Sequence, residues 1–168
     1  MKVRKLLLQD ARYMWEWMQD ESVVQYLNTN FEDMTIKDCE KFIVDSWENS
    51  RDLNLAIADD EDVYMGTVSL KHIDTEQRIA EFAITIRSIA RGRGFSAYGM
   101  KEILRIGFEE LSLKEIVWCV SRDNERARRF YDKNGYARRE DIPEIYNNYY
   151  SKEQMETLLW YGVQREEM

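Results

Sequence analysis

The chain has 168 residues, of which 44% are hydrophobic and 33% are charged, and its formal net charge is −8. This length suits one compact domain, so we expect a single domain over residues 1–168. The acidic balance disfavours nucleic acid as a partner, because binding along phosphates needs clustered lysine and arginine. The first apolar run, residues 6–8, is too short for a signal peptide or a membrane span, so we expect a cytoplasmic protein with no membrane partner.

The N-terminal third predicts one strand followed by three helical pieces. The strand is expected around residues 3–8, and apolar residues then recur at helical spacing over residues 11–18, with a short second piece ending near Leu27. Thr35 and Asp38 form a capping-box pattern that begins a third, amphipathic helix. Its predicted apolar face consists of Ile36, Cys39, Phe42, Ile43 and Trp47.

The middle of the chain changes to strand-like runs. Three such runs, over residues 53–59, 63–73 and 78–86, are separated by short polar turns and predict antiparallel strands. A helical period returns over residues 96–111, and the continuous apolar run "EIVWCV" (115–120) then predicts a buried central strand.

The C-terminal part predicts a helix and two strands. Residues 124–134 have helical character, and Gly135 closes that helix because glycine adopts the left-handed conformation at little cost. Strands are expected around "YARRED" (136–141) and "METLLWYGV" (155–163). With the first two helical pieces counted as one, the order β-α-α-β-β-β-α-β-α-β-β is typical of an α+β, or mixed α/β, domain with one parallel crossover.

Metal chemistry is not indicated. The cysteines, Cys39 and Cys119, are far apart and lack CxxC spacing, so both are expected to be small core residues without a disulfide. The lone histidine, His72, has no companion ligand at metal-binding spacing, and a surface or strand-end position is expected for it. We therefore expect no metal cofactor.

The stretch "RGRGFS" (91–96) lies between a predicted strand and a predicted helix, where free amide groups can bind phosphate. Its glycines permit the torsion angles of an anion-binding nest, and Arg87, Arg91 and Arg93 add positive charge. The glycine spacing differs from those of a P-loop and a dinucleotide fold, which argues against ATP and NAD. A tight turn with solvated arginines is the alternative.

A second pattern follows the buried strand. Asn124, Ala127 and Tyr131 fall near one helical face by three- and four-residue spacing. At this point the chain resembles the GNAT superfamily of acyl-CoA-dependent N-acyltransferases, whose motif is R/Q-x-x-G-x-G/A. Residues 91–96 match it except at Ser96, a small residue that stands where the family usually has Gly or Ala. The family's second motif, N-x-x-A-x-x-x-Y followed by Gly-Phe/Tyr, is matched by the same three residues and by Gly135-Tyr136.

The resemblance implies a GNAT-like single domain with a mostly antiparallel central sheet, a splayed parallel strand pair and flanking helices. It also implies acetyl-CoA as cosubstrate, with its pantetheine arm between the strands near residues 80–86 and 115–120. The backbone at Ala83, Ile84 and Ile86 would pair with that arm, and the Asn124 side chain would bond to it. The amides expected to hold the pyrophosphate are those of Arg91, Gly92, Arg93, Gly94, Phe95 and Ser96.

The catalytic reaction implied by the resemblance is direct attack of an amine on the thioester, without a covalent enzyme intermediate. Tyr131 matches the family's general-acid position, with a plain core aromatic as the alternative. Glu81 shares a predicted strand face with Ala83 and Thr85 and is the candidate base, although a solvated or structural carboxylate fits the same pattern. A homodimer through the final strand is expected from the family.

The acceptor is left open between several classes. The branch of ribosomal-protein N-terminal, spermidine and amino-sugar acetyltransferases is the most similar, and the two N-terminal helices plus a hairpin before the last strand are expected to hold the acceptor. Glu32 and Asp33 favour a polyamine, whereas "YNNYY" (146–150) favours stacking on a sugar or base. We expect a small-molecule amine, with a protein N-terminus, a non-catalytic acyl-CoA-binding module or an aromatic interaction surface as the alternatives.

Overall fold

Seven strands form one sheet in the computed structural model, which describes residues 1–168. The sheet order is β1-β2-β3-β4-β5-β7-β6. The strands are β1 (Lys2–Lys5), β2 (Leu53–Ala58), β3 (Tyr64–Asp74), β4 (Ile79–Ile86), β5 (Glu115–Val120), β6 (Ala137–Arg139) and β7 (Leu159–Gln164). The helices are α1 (Ala11–Met18), α2 (Glu21–Val24), α3 (Ile36–Ser46), α4 (Phe95–Arg105), α5 (Glu125–Lys133) and α6 (Lys152–Thr157). The predicted mixed α/β fold is confirmed.

The pairing of β4 with β5 is the one parallel pairing in the sheet, and it is short. It runs from Ile79 opposite Glu115 to Glu81 opposite Val117 and then stops. Both strands continue beyond that point, β4 to Ile86 and β5 to Val120, without pairing to each other. The two strands therefore splay and leave an open cleft in the middle of the sheet, as the resemblance implied.

The two faces of the sheet are covered differently. On one face α4 and α5 pack over the largest apolar cluster, which includes Phe82, Trp118 and Tyr131. The other face carries two separate clusters, one under α1 and α3 and one under residues 142–155. Because these two covers are separate, the face of β4 that carries Glu81 lies at a gap between them.

The segment before the last strand differs from the prediction. A hairpin was expected there, but a 3-10 turn (Glu144–Asn148) is followed by α6, and β7 begins only at Leu159. The reason is local: Ser151 Oγ accepts a hydrogen bond from the Gln154 amide, and the Gln154 side chain accepts one from the Ser151 amide. This capping box starts a helix where the apolar residues alone suggested a strand.

The third helix also differs in its packing. Its predicted capping box is confirmed by mutual hydrogen bonds between Thr35 and Asp38. Of its predicted apolar face only Cys39 and Ile43 are buried, because α3 packs along α1 rather than across the sheet. The exposed members of that face are Ile36, Phe42 and Trp47. No helix is long and apolar enough to cross a bilayer, and no group of three or more His, Cys, Asp or Glu side chains could hold a metal ion.

Candidate active site

The open edge of β4 presents free backbone groups to the cleft. The amide of Arg87 donates to the Met65 carbonyl at 2.9 Å, so alternate residues of β4 direct their backbone groups to β3. Ala83 is one of these and pairs with Ser69. Ile84 and Ile86 point the other way, toward the cleft that β5 leaves open. Of the three backbone positions expected to pair with the arm, the structure thus directs two to the cleft and turns Ala83 away.

The glycine loop is built as an anion nest. Gly92 and Gly94 both have positive φ, 71° and 84°, and Gly94 is the N-cap of α4. The N–H groups of residues 92–97 donate no hydrogen bond to any backbone acceptor, whereas those of Ala90, Arg91 and Tyr98 do. A run of free amides at a helix N-terminus attracts negative charge through both hydrogen bonding and the helix dipole. This loop can therefore hold a diphosphate.

The arginines around this loop have separate roles, which corrects the expectation that Arg87 adds charge at the loop. Arg87 is buried and is held by the Glu16 carboxylate and the Tyr64 carbonyl, away from the loop. Arg91 donates to Ser22, and burial followed by the nearby charge of Arg126 lowers its pKa. An anion at the loop would relieve this repulsion between two guanidinium groups. Arg126 was not singled out from the sequence.

Replacing Gly92 with alanine is expected to weaken acetyl-CoA binding about tenfold while costing about 1 kcal/mol of stability, because alanine disfavours positive φ and the loop would move its amides. Gly135→Ala is the matched control: Gly135 also has positive φ, 78°, and a Cβ at either position would meet no atom within 4 Å. Isothermal titration with CoA and thermal melting of both variants separate the two effects. Equal CoA affinities for the two variants would contradict the assignment of the nest.

The helix after β5 positions Asn124 and Tyr131. Asn124 caps α5 by accepting a hydrogen bond from the Ala127 amide at 3.1 Å, which leaves its Nδ2 free to donate. Tyr131 is buried, and its ring packs against Trp118 and Tyr161 at centroid distances of 5.4 and 5.1 Å. Its hydroxyl is not occupied by any of the hydrogen bonds in this region. Burial, and then the neighbouring tyrosine and cysteine groups, raise the pKa of Tyr131, so the phenol stays protonated.

Glu81 is a buried carboxylate with three polar partners. Nδ1 of His72 lies 3.0 Å from its Oε2, the Tyr150 hydroxyl donates to its Oε1, and Nζ of Lys71 lies 3.9 Å from Oε1. Burial alone would raise the pKa of the Glu81 carboxyl. The hydrogen bond with the histidine, the charge of the lysine and the hydrogen bond from the tyrosine outweigh burial and hold the pKa below its usual value. Glu81 is therefore ionised at neutral pH.

Two of these partners were missed from the sequence. His72 lies near the end of β3, in keeping with the expected strand-end position, but the contact of its ring with Glu81 and its stacking on Tyr149, with centroids 3.6 Å apart, were not expected. Tyr150 was considered only for stacking on and hydrogen bonding to an acceptor. The structural feature that turns His72 inward is its positive φ of 51° at a break in the β3–β4 register. Sequence spacing does not reveal this feature.

Cys119 is partly buried and packs against the cluster under residues 142–155, whereas Cys39 is fully buried; both cysteines are free and contribute to the core, as expected. Burial raises the pKa of the Cys119 thiol to about 11, with smaller effects from Tyr150 and from the charge of Glu81. The protonated thiol of Cys119 is a poor nucleophile at neutral pH.

A splayed strand pair, a run of free amides at a helix N-terminus, a neutral buried phenol and an ionised buried carboxylate occur together in this domain. The family model described as "Acetyltransferase (GNAT) domain" matches residues 1–137. The chain therefore belongs to the GNAT acetyltransferase family, and it is an acetyl-CoA-dependent N-acetyltransferase.

Several proteins of known name are similar to this chain. An uncharacterized N-acetyltransferase p20 of Bacillus licheniformis is 29% identical over 125 residues, which are 73% of this chain and 70% of that protein. Spermidine N(1)-acetyltransferase of Escherichia coli K12 is 26% identical over 136 residues, or 81% of this chain and 72% of that protein. The structure of Vibrio cholerae spermidine N-acetyltransferase in complex with CoA and spermine superimposes with a TM-score of 0.80 at 19% identity, covering 99% of this chain and 96% of that chain.

Proposed function

We propose that this chain acetylates a primary amine of a polyamine, with acetyl-CoA as donor. The observation that carries the proposal is an ionised carboxylate, Glu81, buried at the end of a gap whose two borders are strongly acidic. Similarity to spermidine acetyltransferases supports the same acceptor class.

Both borders of the gap, residues 20–34 and residues 140–157, carry more acidic than basic side chains. Residues 20–34, next to α1 and α2, carry four acidic side chains and no basic one. Residues 140–157, which supply Tyr149 and Tyr150 to the Glu81 side, carry five acidic side chains and one basic one. Such borders attract a polycation and repel an amino sugar linked to a nucleotide diphosphate. A flexible polyamine, with ammonium groups spaced along an alkyl chain, fits both the charge and the aromatic walls.

In the proposed mechanism Glu81 accepts a proton from the bound ammonium group, directly or through water, and the free amine attacks the thioester carbonyl. Free backbone N–H groups of β4 at the cleft, at Ile84 or Ile86, polarise the carbonyl and stabilise the oxyanion. Collapse of the tetrahedral intermediate breaks the C–S bond, and Tyr131 gives its proton to the leaving thiolate. The second proton of the amine nitrogen then returns the Tyr131 phenol to its protonated state. The protonated state of Cys119 favours this direct attack over an acyl-cysteine intermediate.

The donor contacts proposed here follow the geometry of the cleft. Ile84 and Ile86 bind the pantetheine arm through their backbone, and Asn124 donates from Nδ2. The amides from Gly92 to Ser96 hold the diphosphate, with the side chains of Arg91 and Arg93 adding charge. The Arg91 amide, which was expected to join them, instead donates to the Ser88 carbonyl at 3.2 Å. Ala83 contributes its small side chain to the wall, since its backbone is paired with β3.

The experiment that tests the acceptor is acetyl-CoA-dependent thiol release with a panel of amines: spermidine, spermine, nucleotide-linked amino sugars and peptides with free N-termini. We expect turnover with spermidine or spermine and a KM for either that rises with ionic strength, because salt screens the acidic borders. Turnover restricted to peptides or amino sugars would contradict the polyamine proposal while retaining the enzyme. CoA binding without turnover of any amine would favour a binding module.

The setting proposed for this activity is the cytoplasm, where acetyl-CoA and polyamines are both available. We also propose that the chain self-associates. A Vibrio cholerae spermidine N-acetyltransferase of similar fold, with a TM-score of 0.74 over 98% of this chain, has a dodecameric structure.

A further inference from the structure

The geometry points to His72 as the residue through which Glu81 passes the proton of the amine to solvent. This inference rests on the proposed function, because it takes Glu81 as the group that receives the proton. His72 acts through Glu81 and does not itself touch the amine.

The backbone at His72 is distorted in a way that turns its side chain toward Glu81. His72 has a φ of 51°, in the left-handed region that non-glycine residues rarely adopt, at a break in the β3–β4 register. Its amide is held by Asp52 Oδ1 at 2.9 Å, and its ring is fixed by stacking on Tyr149. In a regular strand, successive side chains alternate between the two faces of the sheet, and that arrangement does not require a left-handed residue. The result of the distortion is the contact between Nδ1 and Glu81 Oε2 at 3.0 Å.

The proton balance of the reaction requires a path from the buried site to solvent. An ammonium acceptor loses two protons from its nitrogen on becoming an amide, and the CoA thiolate takes up one. One proton per turnover must therefore reach solvent. The Glu81 side chain is only 3% exposed, whereas the side chain of His72 is 26% exposed. His72 thus connects the buried carboxylate to water.

The other partners of Glu81 cannot accept this proton. Lys71 carries an ammonium group, which has no acceptor capacity, and the Tyr150 hydroxyl is already donating to the carboxylate. An imidazole nitrogen accepts and releases protons near neutral pH. Beside the ionised carboxylate, neutral His72 donates from Nδ1. Once Glu81 has taken the amine proton, exchange with solvent moves the ring proton of His72 to Nε2, the O–H bond of Glu81 breaks and an N–H bond forms at Nδ1. The imidazolium then releases its Nε2 proton to water, which restores the tautomer that donates from Nδ1.

The environment of this relay is mixed in charge. The titratable groups that surround the His72 and Glu81 pair are Lys71 of β3, Asp52 before β2, Cys119 of β5, and Tyr146, Tyr149 and Tyr150 of the C-terminal segment. Beyond them, the charges of Glu115 and Asp74 act on Tyr146. The lysine is the one cation among them, and it balances the carboxylate rather than the imidazole.

The test compares wild type with His72→Asn, chosen because asparagine tolerates the left-handed conformation and cannot carry a proton near neutral pH. We expect kcat to fall about 100-fold, with the KM for acetyl-CoA unchanged. Added imidazole buffer, at constant pH and ionic strength, should restore kcat in proportion to the concentration of its neutral base. Wild type should not respond to the buffer. His72→Gln is the second variant should the first fail to fold.

Two results would overturn the relay: a wild-type kcat in either variant, or a lowered kcat that no concentration of imidazole restores. The second result would indicate that His72 only orders Glu81. Failure of the proposed function is recognised separately, because the wild-type enzyme would then show no turnover with spermidine or spermine. If wild type accepts another amine, the same comparison is made with that amine, so the relay is decided independently of the polyamine proposal.

Discussion

Replacing Tyr131 with phenylalanine is expected to lower kcat at least about 100-fold while leaving the Kd for acetyl-CoA within about twofold. The phenol is buried and protonated, with a raised pKa, and its hydroxyl makes no hydrogen bond to another group of the protein, so its proton is not committed elsewhere. Phenylalanine keeps the ring packing against Trp118 and Tyr161 and removes only the proton donor. Steady-state kinetics and titration with CoA measure the two quantities.

Tyr136→Phe is the matched control for this result. Its ring centroid lies 5.4 Å from that of Trp118, the same distance as the ring of Tyr131, and it belongs to the same aromatic cluster. We expect a kcat within about twofold of wild type for this variant, since its hydroxyl has no role in the reaction proposed. Similar losses in both variants would indicate that the cluster matters for packing and would remove the general-acid role of Tyr131.

Glu81→Gln is expected to lower kcat about 100-fold, since an amide cannot accept the proton of the acceptor amine. The pKa of Glu81 lies below its usual value, so the wild-type carboxylate stays ionised throughout the range in which the enzyme is assayed. The loss should therefore be uniform between about pH 6 and 9. Rate profiles across pH for both proteins test this expectation, and a loss confined to the acidic end would contradict it.

The same lowered pKa affects stability. A carboxyl whose folded pKa lies below its unfolded value contributes stability above the unfolded pKa and loses it as pH falls through the folded pKa. The free energy of unfolding of wild type should therefore exceed that of Glu81→Gln by less below about pH 4 than at neutral pH. Glu110→Gln serves as the control for both measurements, because Glu110 is exposed and bonds only to Arg105. Its kcat and melting curve should match those of wild type.

Much of the donor site is predictable from the sequence because its determinants are local. The glycines at 92 and 94 adopt positive φ in the turn before α4, and Asn124 caps α5 through an amide only three residues away. Such features depend on short stretches of chain, so their spacing is visible in the sequence. The element order follows for the same reason, since each periodic run carries its own apolar pattern.

The sequence by itself determined the family, the order of strands and helices, and the residues around the donor. Only the tertiary structure decided the surroundings of Glu81, because His72 reaches it through a distortion of the adjoining strand, and Tyr150 and Cys119 come from distant parts of the chain. It also decided that the backbone of Ala83 pairs with β3 and that the guanidinium group of Arg87 binds the Glu16 carboxylate. Both contacts depend on which strand or helix lies alongside. Contacts of this kind follow from strand register and from one left-handed residue, and neither leaves a periodic trace in the sequence.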